Sequence, residues 1–375
     1  MQTVKRWVRL AAALATIVAA TAGCYDRTEL EDITIALMMG IDLDEHDEPI
    51  VYMSSPVFSK EAKRKTEEFG VKSTTIRQAR GRFDAMVTAL TKGGKIQEVL
   101  IGKRVLQHPD WFQMLDVMYR DAKMTVNARV IAVDGKVSDI IGYYPENKPR
   151  LSLHLVKLTD TASRRNITVK TTLQEFHRQM HDKGMTASVT EMVKRREIEV
   201  KGTALLDDRG RYVTSLGIQE STLLQLLRRG LQHEMSLTLP IPVDTPNERL
   251  MKNRVSFFVK KGKVRVRTSV REGRFVFDIR LDMNVAVSER MFRFEIKKNA
   301  KSLETMVRDE LGKQFASLVR KLQTNRVDPI GLGLYARAYQ YREWKKVEDR
   351  WSETFAEADI RVTPVVSIVG DGIME

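Results

Sequence analysis

Every second residue from Phe275 to Val287 is apolar, which indicates a long β-strand with one buried face. A similar alternation precedes it, with Val264, Val266 and Val270 on one face. The opposite face of that segment carries a basic stripe, formed by Lys263, Arg265 and Arg267. The run VSFFV at 255–259 is expected to form a separate strand that meets this segment across a turn at Lys261-Gly262. Period two over so many residues predicts an antiparallel sheet.

Helical patterns follow this sheet. From about 302 to 323, apolar residues recur every three or four positions, which predicts an amphipathic helix. Asp328, followed by a proline, is predicted to cap a second helix that continues to 357. Trp344 and Trp351 lie on the apolar stripe of this second helix, so we expect both in the core.

The last predicted strand is RVTPVVSIV at 361–369, placed at a sheet edge because Pro364 cannot donate a ladder hydrogen bond. The pattern changes from helical to strand-like near residue 198, where a hairpin and a leucine-rich helix begin. The sequence therefore predicts a C-terminal domain, residues 198–375, in which helices cover one face of an antiparallel sheet.

The N-terminal half, residues 24–197, mixes the two periods and is predicted to be an α/β region. Three apolar runs indicate strands, at 33–41, 49–57 and 96–106. Further strands, at 124–133 and 136–142, are expected on either side of an Asp134-Gly135 hairpin turn. Helices are expected at 76–90, ending at Gly93-Gly94, at 111–118, and after a capping box at Thr172 and Glu175. A polar segment at 143–166 is predicted to be a linker between two subdomains. The predicted fold class is α+β, a multi-domain ectodomain with mixed and antiparallel sheets.

The first 23 residues have the pattern of a secretory signal. Lys5, Arg6 and Arg9 precede an apolar run of about eleven residues, which is too short to span a bilayer of ~30 Å. Small residues and then Cys24 follow it. This order resembles a bacterial lipobox, in which the cysteine is lipidated and becomes the mature N-terminus. We expect Cys24 to carry a diacylglycerol that tethers the protein to a membrane.

Composition supports this interpretation. Cys24 is the only cysteine among 375 residues, so the chain forms no internal disulfide and has no cysteine-based metal site. The formal net charge is +14. For an exported protein, the expected anionic neighbour is the lipid surface, whereas nucleic acid is not expected. A solvated basic surface without a specific partner is the alternative.

Other candidate sites are weak. His177 and His181 have the spacing of a zinc-binding pair, but Arg178 stands where HExxH has its glutamate. The acidic segment at 42–48 lacks the glycine and the final glutamate of an EF-hand, which favours a hairpin turn. The glycines at 331–333 are too close together for a phosphate loop. We predict no catalytic residues, no metal and no cofactor, and leave ligand-binding residues unassigned.

Several short blocks, taken in order, resemble one family, the C-subunit lipoproteins of spore germinant receptors, Ger(x)C. The blocks are Cys24-Tyr25-Asp26-Arg27 with Glu29-Leu30, Gly40-Ile41-Asp42 with Asp44, Arg120-Asp121, Lys201-Gly202-Thr203-Ala204-Leu205, Glu220 with the leucines up to Gly230, Asp328, Gly331-Leu332-Gly333, Trp344, and the final valine-rich strand with Gly370. Tyr25 stands where the family tends to have tryptophan.

The resemblance implies a non-enzymatic lipoprotein on the extracytoplasmic face of the spore inner membrane. It also implies membrane-spanning A and B receptor subunits as partners. A solute-binding lipoprotein of a transport system is the alternative function. It would require two lobes of alternating strands and helices, which the long antiparallel pattern disfavours. An anchored hydrolase is a third class, but no G-x-S-x-G or HExxH motif is present.

Overall fold

The computed structural model of the protein describes residues 2–21, 33–58, 61–87, 89–144, 147–242, 253–292 and 296–370. Over these residues the fold is α+β. Its main sheets are a mixed sheet of eight strands and a C-terminal sheet of four strands with helices packed against it, which confirms the predicted fold class.

The elements of the N-terminal half alternate between short strands and short helices. In chain order they are α1 (Gln2–Thr21), β1 (Ile33–Ile35), β2 (Met38–Leu43), β3 (Pro49–Pro56), β4 (Thr66–Lys72), α2 (Ile76–Asp84), β5 (Leu90–Lys92), β6 (Glu98–Gly102), α3 (Lys103–Gln107), a 3-10 helix (Trp111–Leu115), α4 (Asp116–Arg120), β7 (Arg129–Val133), α5 (Val137–Ile141), α6 (Leu151–Arg164), α7 (Leu173–His181) and β8 (Ser188–Lys194).

The elements of the C-terminal half include the longest strands and the longest helix in the described residues. In chain order they are β9 (Ile198–Leu206), β10 (Tyr212–Leu216), α8 (Ile218–Arg229), β11 (Met235–Pro240), β12 (Arg254–Arg271), β13 (Arg274–Arg290), α9 (Ile296–Thr324), α10 (Leu332–Tyr339), α11 (Tyr341–Lys345), a 3-10 helix (Glu348–Arg350), α12 (Trp351–Glu357) and β14 (Asp359–Gly370).

The eight-stranded sheet has the order β10-β9-β8-β7-β6-β2-β3-β4. Its central strands β2, β6, β7 and β8 are parallel, and the strands at both ends are antiparallel. Every residue of β6 is buried, with Val99 and Ile101 in one core and Leu100 in the core on the opposite face. Burial on both faces is expected of a parallel strand in the middle of a sheet.

The predicted division at residue 198 does not coincide with a break in this sheet. β9 and β10 follow that position, and β9 pairs with β8 of the N-terminal half. The segment at 42–48 contains the end of β2 and the turn that joins it to the antiparallel strand β3, as predicted.

The predicted strand at 136–142 and the predicted linker at 143–166 are wrong. Residues 137–141 form α5, and residues 151–164 form α6, which contacts β6 and β9. Leu151, Leu155 and Ala162 are buried on one side of α6. Polar and charged residues separate these three positions, so their helical spacing is weak in the sequence. The polar composition of the segment therefore led to the wrong prediction of a linker.

The predicted helix at 76–90 is too long. It begins as expected, because the Thr75 hydroxyl accepts a hydrogen bond from the Gln78 amide, but α2 ends at Asp84. The Asp84 carboxylate then accepts a hydrogen bond of 2.8 Å from the Thr91 amide, and residues 90–92 form β5 beside β1. Gly93-Gly94 therefore does not cap a helix. The predicted strand at 96–106 is also too long, since α3 follows β6 directly.

The C-terminal sheet has the order β11-β12-β13-β14. Its first three strands are antiparallel, as predicted, and β14 runs parallel to β13 at the predicted edge. The predicted turn at Lys261-Gly262 is wrong, because β12 is continuous and the hairpin turns at Glu272 and Gly273, both with positive φ. A bulge between Val259 and Lys261 moves the buried positions from odd to even numbers, which made one strand look like two.

Helices cover the inner face of this sheet. The helix predicted at 302–323 is the main part of α9, and Leu303, Leu311 and Phe315 are buried against the sheet. The single helix predicted at 329–357 is instead divided into α10, α11, a 3-10 helix and α12. Trp344 and Trp351 are buried, as expected.

The hydrophobic cores of the described residues form three clusters, and all of their buried members lie between Ala36 and Val366. No residue of α1 belongs to any of them. A chain that begins after the predicted signal therefore retains every described core contact, so we expect it to fold without the first 24 residues.

Candidate functional site

Cys24, the predicted lipidation site, lies outside the described residues. The apolar run before it forms part of α1, a helix of 20 residues. Within the described parts of the chain, no helix combines the length and the apolarity required to cross a membrane. The lipidation of Cys24 therefore stays a prediction.

His177 and His181 are brought together by α7, but in an aromatic cluster. Their rings stack with centroids 4.1 Å apart, and the Tyr119 ring lies 4.6 Å from that of His177. Nδ1 of His181 lies 2.9 Å from the His177 carbonyl oxygen. Burial, together with the neighbouring His181, lowers the pKa of His177. Nowhere in the described residues do three or more His, Cys, Asp or Glu side chains form a group that could hold a metal ion.

The basic stripe predicted from the sequence lies on the outer face of the C-terminal sheet, opposite the helices. Lys263, Arg265 and Arg267 alternate with valines that pack inward. The antiparallel register places Arg280 of β13 directly opposite Arg265. Arg361 of β14 lies beside Asp278 in the parallel register and forms an ion pair with Asp359, so arginine side chains continue onto a third strand. We call this surface, formed by Lys263, Arg265, Arg267, Arg280 and Arg361, the basic face.

Acidic residues neutralise the basic face only in part. Asp282 accepts hydrogen bonds from both Arg265 and Arg280, the latter with an Nε–Oδ1 distance of 2.8 Å. These bonds, with that from Arg265 first, lower the pKa of Asp282. Two guanidinium groups thus share one carboxylate. Lys263 and Arg267 make no ion pair with any described residue.

The hairpin of β12 and β13 as a whole also has an excess of positive charge. Residues 254–290 contain ten Lys and Arg and four Asp and Glu, a formal charge of +6 of the +14 in the complete chain. A positively charged surface of this kind attracts anionic groups over about one Debye length.

Comparisons with known proteins identify the family. A family model described as the spore germination protein N-terminal domain matches residues 26–194, and a model described as spore germination B3/GerAC like, C-terminal, matches residues 201–372. This chain belongs to the Ger(x)C family of spore germination proteins. The chain is a member of the germinant receptor C-subunit family, and its role therefore lies in germination.

Relatives of this Ger(x)C protein align over most of its length. Spore germination protein B3 of Bacillus subtilis (strain 168) is 21% identical over 372 residues, covering 94% of this chain and 95% of B3. Spore germination protein KC of the same organism is 20% identical over 365 residues, covering 89% and 88% respectively. The crystal structure of the GerBC protein matches with a TM-score of 0.56 and 15% identity, over 88% of this chain and 96% of that chain. At this identity the structural match shows the fold alone.

The Ger(x)C block at Asp328 and Gly331-Leu332-Gly333 forms a buried junction. The Asp328 carboxylate accepts hydrogen bonds from the Gly331 amide at 2.8 Å, the Gly333 amide at 3.0 Å and Trp351 Nε1 at 3.0 Å. Burial nevertheless raises the pKa of Asp328. Asp328 therefore supports the start of α10, but the proline after it does not occupy a helical position, contrary to the predicted cap.

The block Lys201-Gly202-Thr203-Ala204-Leu205 forms part of β9. Gly202 has a φ of 145°, and a Cβ there would lie 2.0 Å from the Leu216 carbonyl oxygen, so glycine is required. The Thr203 hydroxyl accepts a hydrogen bond of 2.9 Å from Ser221. These contacts give the block a role in the fold.

Sequence reasoning missed an ion network at the carboxyl ends of the parallel strands. Lys201 bonds to Asp134 at 2.7 Å and lies 3.4 Å from the buried Glu191, while Lys103 bonds to Asp134 at 3.1 Å. The hydrogen bonds to Asp134, with that from Lys201 first, lower the pKa of this carboxyl. The sequence predicts Asp134 only as a turn residue. Its position directly after a buried strand was the signal that it belongs to a shared sheet edge.

Glu98 of β6 is another buried acid, and it lies within an otherwise apolar run. It is fully buried, and neither carboxylate oxygen has a hydrogen-bond partner among the described residues. The neighbouring Arg129 is bound instead by Asp160, at 2.8 Å. Burial raises the pKa of Glu98 well above its ordinary value, which favours the neutral acid.

Proposed function

We propose that this protein is a lipid-anchored, non-catalytic subunit of a nutrient germinant receptor complex, needed for spore germination. The observation that carries the proposal is the match of both halves of the chain to spore germination family models. The lone Cys24 at the end of a short apolar run supports the lipid tether. The membrane-spanning A and B receptor subunits are the proposed partners, on the extracytoplasmic face of the spore inner membrane.

The basic face supports a second contact with the bilayer. Each lysine or arginine near an anionic lipid surface contributes up to about 1 kcal/mol of attraction. A tethered protein stays close to that surface, so even weak attraction is sufficient to orient it. We propose that the basic face lies toward anionic lipid headgroups. Nucleic acid is not a proposed partner.

We further propose that this subunit supports the receptor and does not itself recognise the nutrient. A free amino acid needs fixed countercharges for its carboxylate and its ammonium group. Many of the acidic side chains of this chain already bind basic neighbours, as Asp134 and Asp282 do. Calorimetry of residues 25–375 with candidate nutrients tests this proposal, and saturable micromolar binding would contradict it.

The division at residue 198 is also a proposal. The two family models meet between residues 194 and 201, close to that position. Because β8 and β9 pair across it, the division separates two inherited sequence segments, 24–197 and 198–375, and does not separate two sheets.

Replacement of the cysteine tests the anchor. We expect Cys24→Ala to leave the protein unprocessed or released from membranes, because no thiol remains to accept the diacylglycerol. Mass spectrometry of the mature N-terminus decides the question directly. An unmodified Cys24, or cleavage at another position in the wild-type protein, is incompatible with the proposed tether.

Deletion of the gene tests the role in the receptor. Spores without this protein should fail to respond to the nutrient of their own receptor, while triggers that bypass receptors stay effective. Purification of the tagged protein from spore membranes should also recover the A and B subunits. Recovery of an importer's membrane components in their place would support a solute-binding lipoprotein.

A further inference from the structure

An apolar pocket lies in the N-terminal half, far in sequence from the basic face. It has a volume of about 210 Å³ and is enclosed by α2, strands β2 and β3, and the segments at 91–96 and 117–124. Apolar side chains make up most of its wall, among them Met39, Met53, Ile76, Phe83, Val117 and Met124. An apolar cavity of roughly 150 Å³ is sufficient to bind benzene, so this pocket has room for a small organic molecule.

Two glycines shape one wall of the pocket. A Cβ on Gly93 would lie 2.6 Å from the Met124 sulfur, and one on Gly94 would lie 2.7 Å from the Lys123 carbonyl oxygen. The segment at 93–94 therefore packs directly against the segment at 123–124. This contact closes the pocket on that side and explains the Gly93-Gly94 pair, which the sequence alone suggested was a helix cap.

The polar groups around the pocket are predominantly cationic. Arg77, Arg80, Lys92 and Lys123 line it, together with a single acid, Asp121. Asp121 is already occupied, since it binds Arg77 at 2.9 Å and accepts a hydrogen bond of 3.0 Å from the Lys123 amide. Arg80, Lys92 and Lys123 have no ion-pair partner among the described side chains. The pocket lining thus carries three uncompensated positive charges.

A buried hydroxyl also belongs to the wall of the pocket. Thr91 lines the pocket and is only 5% exposed, and its hydroxyl has no hydrogen-bond partner among the described residues. A buried hydroxyl without a partner is costly, by about 1–3 kcal/mol. Its oxygen is enclosed by protein atoms and lies beneath the surface that a ligand in the pocket would contact.

We propose that this pocket binds a small apolar carboxylate, with a body of about six to ten carbon atoms by comparison with benzene-sized cavities. The apolar body packs against the methionines and Phe83, and the carboxylate faces Arg80 and Lys123. A zwitterionic amino acid fits less well, because Asp121, the acid of the lining, is held by Arg77. Binding of a ligand in this pocket is separate from the proposed tether and scaffold roles and does not depend on them.

The test uses three eight-carbon probes that differ in their head group: octanoate, octan-1-ol and octylammonium. Calorimetry is performed on residues 25–375, which contain every described core residue. We expect octanoate to bind at least about tenfold more tightly than either other probe. The double variant Arg80→Gln with Lys123→Gln should lose about tenfold in octanoate affinity and leave octanol binding unchanged. Lys157→Gln with Arg164→Gln, at exposed positions on α6, is the matched control that removes the same charge, and it should bind octanoate as the parent does.

Filling the pocket separates specific binding from general adsorption. Val117→Phe should abolish binding of all three probes while the melting temperature and circular dichroism stay near those of the parent. If that variant does not fold, Met124→Trp at a half-buried position serves the same purpose. Equal affinity for octanoate and octanol, binding that survives a folded filled variant, or octanoate binding weaker than about 1 mM would each overturn the proposal.

Discussion

At the scale of single residues, the buried Asp328 shows how this fold uses a polar group in its core. Its carboxylate is fully enclosed and is held by two backbone amides and the indole of Trp351. Burial of a carboxyl without such donors is strongly unfavourable. The three bonds therefore fix the loop before α10 and attach it to α12, so that chain segments 23 residues apart are joined at one side chain.

The hydrogen bond from the Trp351 indole to Asp328 can be tested with a matched control variant. Trp351→Phe removes the N–H donor to Asp328, whereas Trp344→Phe removes an N–H that is also buried but has no hydrogen-bond partner among the described residues. Both changes remove the same volume from equally buried positions. We expect Trp351→Phe to lower the free energy of unfolding by about 1–3 kcal/mol more than Trp344→Phe. Denaturant unfolding measures the difference, and equal losses would show that the bond contributes nothing.

At the scale of elements, α10 makes a close contact with the segment before β8 and adds to the pairing of β8 with β9 that joins the two halves of the chain. Gly333 lies against Gly184, and a Cβ on Gly333 would be 2.6 Å from the Gly184 Cα. Ion pairs surround this contact, including Arg337 with Asp182 at 3.2 Å and Lys183 with Glu348 at 3.1 Å. The glycines allow the backbones to approach closely enough for these side chains to meet.

Two alanine substitutions of glycine in helices should therefore have opposite effects. Gly333→Ala introduces a methyl group where backbone atoms leave no room, and we expect it to destabilise the protein by about 1–3 kcal/mol. Gly312→Ala lies within α9 with nothing within 4 Å of the added carbon. It should stabilise the protein by roughly 0.5–1 kcal/mol through helix propensity. Thermal unfolding of both variants checks the pair, and a stabilising Gly333→Ala would contradict the described contact.

At the scale of the whole molecule, positive charge is concentrated on one surface. The hairpin of β12 and β13 contains about a tenth of the residues and carries +6 of the formal charge of +14. The inner positions of this hairpin pack in the largest core, so most of its charged side chains project from the opposite face or lie at its ends. The proposed tether at Cys24 would keep this face within reach of the bilayer.

Vesicle binding tests the basic face separately from the tether. Residues 25–375 lack Cys24, so any binding to vesicles is independent of lipidation. We expect Lys263→Gln with Arg267→Gln to weaken binding to phosphatidylglycerol-rich vesicles about tenfold, since each cation contributes up to about 1 kcal/mol. The control, Lys157→Gln with Arg164→Gln on the exposed side of α6, removes the same charge elsewhere. Equal loss in both variants would assign the effect to net charge. Binding that does not weaken as salt is added would assign it to apolar contact.

The sequence by itself determined those features that depend on local periodicity and on rare residues. Strict alternation gave β13, the apolar stripe gave the main part of α9, and the position of Pro364 gave the edge strand. The order of short blocks gave the family. The single cysteine gave the proposed anchor, which depends on chemistry at one position and needs no fold to be recognised.

The tertiary structure decided what depends on contacts between distant segments. A bulge in β12 reversed its buried face, so two apparent strands were one. Gly93-Gly94 looked like a helix cap, but its role is to let residues 123–124 approach and close the pocket. Asp134 and Asp328 looked like turn and cap residues, yet their carboxylates bind partners 67 and 23 positions away. Local spacing records which side of an element is apolar, whereas the identity of the packing partner is set only when the chain has folded.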